Sequence, residues 1–81
     1  LYKLMDGRAE ALEFHIQKGS PVIGRPIKDL SLIGNLLICS IYRKGKPMIP
    51  NGQDHMEEDD LVVVVTTKKG LHDVKDILKR G

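Results

Sequence analysis

The chain has 81 residues, 41% hydrophobic and 30% charged, with thirteen Lys and Arg against eleven Asp and Glu for a net charge of +2. That length allows one domain with a thin core, because so short a chain buries only about 60–65% of its unfolded surface. No apolar run approaches the ~20 residues of a membrane-spanning helix, and a single cysteine excludes an internal disulfide framework.

The charge is unevenly spread: residues 1–50 carry eight basic and four acidic side chains, residues 51–81 five basic and seven acidic. An acidic run at Asp54–Asp60, with only Tyr2, Phe14 and Tyr42 as aromatics, argues against nucleic-acid binding. The chain opens at Leu1 rather than Met with nothing like a signal peptide, so it reads as a piece of a longer, cytoplasmic protein.

Residues 1–10 show no period and read as a linker from an upstream domain, leaving residues 11–81 as the domain. Residues 11–17 alternate, with Leu12, Phe14 and Ile16 on one side and Glu13, His15 and Gln17 on the other, which predicts a half-buried strand. Gly19-Ser20-Pro21 ends it. Pro26 suits a helix start, and Ile27 and Leu30 supply an inner face, so a short helix is predicted over 26–31, closed by Gly34-Asn35.

Residues 36–43 predict a strand apolar on both faces, with Leu36, Ile38, Ser40 and Tyr42 on one and Leu37, Cys39, Ile41 and Arg43 on the other. Lys44-Gly45-Lys46 predicts a tight hairpin turn and residues 47–50 a returning edge strand. The acidic loop reads as a solvated turn. Leu61–Thr67, with four consecutive valines, is the strongest strand signal. Leu71, Val74 and Leu78, with Ile77 beside them, predict a final amphipathic helix with charges outside. The expected fold is α+β, a small mixed four-stranded sheet in the order β-α-β-β-β-α with two helices.

The side chains suggest no catalytic centre and no metal site. The serines lie in no nucleophile context, Cys39 sits among aliphatics as an inert thiol would, and His15, His55 and His72 are far apart. The acidic run lacks the spacing of a calcium loop, and no glycine-rich phosphate cradle is present. A strand apolar on both faces in so small a domain leaves one face to be covered by a partner, most simply a second copy. Leu37, Ile38 and Ile41 are the expected dimer-interface residues.

In order along the chain, Ala9-Glu10-Ala11-Leu12-Glu13-Phe14, Gly19 through Leu30, Leu37 through Pro50 with its Arg43-to-Gly45 turn, and Asp59-Asp60 entering the valine strand resemble the TrkA C-terminal domain. This domain, also called RCK-C, is the C-terminal module of regulators of potassium conductance. The resemblance spans about residues 9–80. It implies a non-enzymatic regulatory or ligand-sensing domain of a Trk- or Ktr-type potassium uptake system, cytoplasmic and peripheral to the inner face of the plasma membrane through a channel subunit. It further implies a homodimer, and an upstream Rossmann-type domain carrying a nucleotide such as NAD. The alternative is a small-ligand sensor or dimerisation module on another cation transporter or antiporter.

Two departures from the family stand out. Glu58-Asp59-Asp60 replaces the usual Pro-Gly-Asp, so Asp59 has to adopt the left-handed backbone that Gly takes easily. Members that bind cyclic di-AMP carry a longer segment where this chain has only Ser31-Leu32-Ile33-Gly34-Asn35. For such a ligand the resemblance implies Ile33, Gly34 and Asn35 at the cleft and Arg25 on a phosphate.

Overall fold

The valine run holds the middle of a five-stranded sheet. The computed structural model describes residues 1–80. Its strands are β1 (Tyr2–Leu4), β2 (Ala9–His15), β3 (Leu36–Arg43), β4 (Lys46–Met48) and β5 (Leu61–Thr66), in the spatial order β1-β2-β5-β3-β4. Every pairing is antiparallel. Four valines, stiff at χ1, favour the pleated backbone, and β5 pairs along both edges.

This corrects the expected α+β fold with four strands and two helices. Among the described residues there is no α-helix, and both predicted helices are single 3₁₀ turns, Ile27–Asp29 and Val74–Ile77. Neither segment has the length to repay helix nucleation. A 3₁₀ turn aligns residues three apart, and Val74 and Ile77 are buried in that way. Leu30 and Leu78, which follow the two turns, are both extended. Beyond them the chain makes a small antiparallel ribbon: Ile33 N–H donates to the Ile77 carbonyl at 2.8 Å, and Lys79 N–H to that of Ser31 at 2.7 Å.

The additional strand is β1, which lies within the segment expected as a linker. Its hairpin to β2 closes through Met5, Asp6 and Gly7, all at positive φ, with Gly7 N–H donating to the Leu4 carbonyl. The turn from β3 to β4 places Lys44 and Gly45 at φ +49° and +80°, the paired positive values whose twist suits a two-residue hairpin.

One core lies on one face of the sheet. Leu12 and Phe14 of β2, Val62 and Val64 of β5, and Ile38 and Ile41 of β3 point into it. The connecting segments cover them with Ile16, Val22, Leu30, Met56, Val74 and Ile77. Each such side chain contributes about 1.5–3 kcal/mol when fully buried. Ile38 and Ile41, expected on opposite faces, share this one because Ile38 pairs with Val64 and Ser40 with Val63. Cys39 is the extra residue of a β-bulge, which resets the alternation by one.

Candidate functional site

With all the coverings on one side, the opposite face of the sheet is bare. The register lines its residues up in rows. Tyr2 lies opposite Ala11, Ala11 opposite Val65, and Val65 opposite Leu37, an apolar row across four strands. A second row runs Glu13, Val63, Ser40, and a third runs His15, Leu61, Tyr42, Pro47. Leu37 is 64% exposed, and Tyr2 and Tyr42 are also exposed. Of the three residues expected at a dimer interface, Leu37 therefore stands on the surface, while Ile38 and Ile41, at 8% and 0% exposure, lie in the chain's own core.

The four residues expected at a ligand cleft do not converge in one copy of the chain. Arg25 turns its guanidinium onto the Asp29 carbonyl at 2.8 Å. Ile33 lines a cleft formed with residues 70–80. Asn35 lies at φ +57°, with its carbonyl accepting from Thr66 Oγ1 at 2.9 Å and from Thr67 N–H. It lines a separate depression with Leu37 and Val65, at the edge of the bare face. Gly34 is exposed between them.

An ionic clasp joins the end of β3 to the start of β5. Arg43 Nε donates to Asp60 Oδ1 and Nη2 to Asp60 Oδ2, both at 2.9 Å. Arg43 also reaches Glu57 Oε2 at 2.9 Å and the His55 carbonyl at 2.8 Å. Glu57 N–H donates to Asp60 Oδ2 at 2.8 Å, and the Asp60 carboxylate is fully buried. Burial alone would raise the Asp60 carboxyl, but the Arg43 hydrogen bond, the Glu57 amide and the Arg43 charge outweigh it and hold the group below 3.8. The acidic run is thus only partly the solvated turn it was expected to be: Asp60 and Met56 are both fully buried.

The remaining polar candidates are engaged locally. His15 Nε2 and Asp59 Oδ1 are 3.1 Å apart, as are His55 Nε2 and Glu57 Oε2. Among the described residues no group of three His, Cys, Asp or Glu is placed to hold a metal ion. Every buried side-chain nitrogen or oxygen among them has a hydrogen-bond partner.

Comparison with known proteins gives this geometry its context. The TrkA-C domain family model matches residues 11–79. The chain is 28% identical over 79 residues to the Trk system potassium uptake protein TrkA of Azorhizobium caulinodans, covering 98% of this chain and 17% of that protein. It is 33% identical over 73 residues to a Trk system potassium uptake protein TrkA homolog of Pyrococcus abyssi, covering 89% of this chain and 32% of the relative. A further homolog, from Archaeoglobus fulgidus, is 35% identical over 71 residues, or 88% of this chain and 16% of the relative. The chain thus spans a third or less of each of these proteins. With the family model matching residues 11–79, most of its length, the chain belongs to the TrkA-C domain family.

Proposed function

We propose that this chain is the cytoplasmic regulatory, ligand-sensing domain of a Trk-type potassium uptake system. It acts by pairing with a second copy of itself and passing the state of that pair to a membrane potassium channel subunit. The observation that carries this reading is the bare apolar row Tyr2, Ala11, Val65 and Leu37 on a chain of the TrkA-C family. A two-fold contact through Leu37 covers this row on both copies at once. The same contact sets Asn35, which shares a depression with Leu37, beside the pairing surface. A ligand that favours one geometry of the pair then shifts its population. Family membership supports a regulatory rather than catalytic role, and an upstream nucleotide-binding domain in the longer protein is part of the proposal.

Sedimentation equilibrium tests the pairing: the expected mass is twice the 9.1 kDa of one chain. Leu37→Glu places a charge in the row and returns the single-chain mass. A wild-type chain that stays monomeric at high concentration overturns the pairing. In cells whose potassium uptake depends on the longer protein carrying this domain, Leu37→Glu is expected to alter uptake. Unchanged uptake with a monomeric variant overturns the coupling to transport.

A further inference from the structure

The turn at residues 51–54 ties down all of its backbone amides but one. Asn51 N–H donates to Asp54 Oδ2 at 2.7 Å, Gln53 N–H to Asn51 Oδ1 at 2.8 Å, and Asp54 N–H to the Asn51 carbonyl at 3.0 Å. Gly52 N–H donates to nothing among the described residues, and residues 51–53 are exposed. That free nitrogen directly follows an asparagine. The Asn51 side-chain carbonyl accepts the Gln53 amide, which polarises its carbon towards attack.

Packing imposes this residue pair. A Cβ at Gly52 would stand 3.2 Å from the Cβ of Lys28, tighter than ordinary contact, so the position favours the residue that shields its own nitrogen least. The same turn anchors the Ile27–Asp29 turn: Lys28 N–H donates to the Gly52 carbonyl at 3.0 Å and Ile27 N–H to that of Asp54 at 2.8 Å. The chain's two other comparable positions are protected. Gly7, after Asp6, has its amide held by the Leu4 carbonyl at 3.0 Å, and Asn35 precedes the branched Leu36 of β3.

We propose that Asn51 is a self-modifying site, converted by spontaneous deamidation into a carboxylate that loosens the anchor of the Ile27–Asp29 turn. The Gly52 nitrogen loses its proton to base and adds to Asn51 Cγ. The Cγ–Nδ2 bond breaks, Nδ2 takes up a proton and leaves as ammonia, and a five-membered imide remains. Water then opens the ring at either carbonyl, adding hydroxyl to carbon and hydrogen to nitrogen. One opening gives aspartate; the other routes the main chain through the side-chain carbon as isoaspartate. Either product adds a negative charge to a depression of about 210 Å³ that Leu37 also lines. Only isoaspartate lengthens the turn.

The test incubates the folded chain in mildly alkaline buffer beside a peptide of residues 49–55, with mass spectrometry of the digested protein. A gain of about 1 Da, an amide nitrogen exchanged for oxygen, is expected at Asn51 and not at Asn35. The folded chain should react within about tenfold of the urea-unfolded chain, since one side-chain rotation suffices. In the purified isoaspartate form, hydrogen exchange at Ile27 and Lys28 should quicken by about tenfold or more, with Val62 and Val64 unchanged. Asn51→Asp, which adds the charge alone, should quicken it less. An unmodified Asn51 while the peptide converts overturns the site, as does equal conversion of Asn35. Exchange in the isoaspartate form that matches Asn51→Asp, or that quickens equally at Val62 and Val64, overturns the loosened anchor.

Discussion

The guanidinium of Arg43 and the carboxylate of Asp60 meet through two parallel hydrogen bonds of 2.9 Å, tying the end of β3 to the residue that precedes β5. Because Asp60 is fully buried and Arg43 only partly exposed, removing either partner strands the other's charge. Asp60→Ala is expected to cost about 3 kcal/mol, at the lower end for a broken buried pair because water still reaches Arg43. Arg43→Met combined with Asp60→Leu should lose less than Asp60→Ala alone, since no charge is then left unpaired. Urea unfolding of the three proteins decides this: a double variant weaker than the single one contradicts it.

Acid should loosen the same clasp. The Asp60 carboxyl is held below its ordinary value of 3.8 despite burial, and Asp76 is lowered by the amides of His72 and Asp73. For both groups the unfolded chain binds protons more readily than the folded one. Their stabilisation is therefore complete above the ordinary carboxylate range and is lost as pH falls through it towards the lower folded values. The urea midpoint should fall with increasing steepness below about pH 4. In Asp60→Asn the fall should be shallower, and an equal slope in the two proteins would remove Asp60 as its cause.

The sheet was largely legible where alternation was clean. Leu12, Phe14 and Ile16 alternate with Glu13, His15 and Gln17, and they are buried and exposed in that order. The helices misled because apolar spacings of three and four over a few residues suit a 3₁₀ turn as well as an α-helix. At Val74 and Ile77 the pattern identified the buried side chains but not the backbone that buries them. The burial of Asp60 was hidden inside an acidic run. The signal for it needed register: Tyr42 pairs with Leu61, which brings Arg43 at the end of one strand next to Asp60 at the start of another. The three-residue β1 is too short to show a period.

The bulge at Cys39 makes a sharper prediction. It places Ile41 at 0% exposure and leaves Leu37 outside, although the two are an even number of residues apart. Ile41→Ala should cost about 2–5 kcal/mol by leaving a cavity between Val62 and Met48, its partners on either side. Leu37→Ala should change the stability of the single chain by no more than about 0.5 kcal/mol. Deleting Cys39 joins Ile38 to Ser40 in regular alternation with Ile41 still inward. The deletion should therefore fold cooperatively and cost less than Ile41→Ala. Urea unfolding at low protein concentration compares the three, and a deletion that fails to fold would show that the bulge positions more than side-chain phase.

Asp59 sits at φ +71°, the left-handed backbone anticipated from its place in Glu58-Asp59-Asp60. Its amide donates to the Ile16 carbonyl at 2.8 Å, and Ile16 N–H returns a bond to the Asp60 carbonyl, so the turn is fastened to the end of β2 and cannot relax elsewhere. Its side chain meets the exposed His15 at 3.1 Å, a contact of the kind worth little at a surface. Gly takes this conformation without strain, so Asp59→Gly should be neutral or stabilising by up to about 1 kcal/mol, the greater freedom of Gly in the unfolded chain offsetting part of the gain. Asp59→Val keeps the position but adds a branched Cβ against the left-handed backbone and should cost about 1–2 kcal/mol. Thermal melts of the two variants should bracket the parent chain. A valine variant as stable as the glycine one would mean that the turn opens at little cost, and that the paired bonds between Ile16 and residues 59–60 do not hold it.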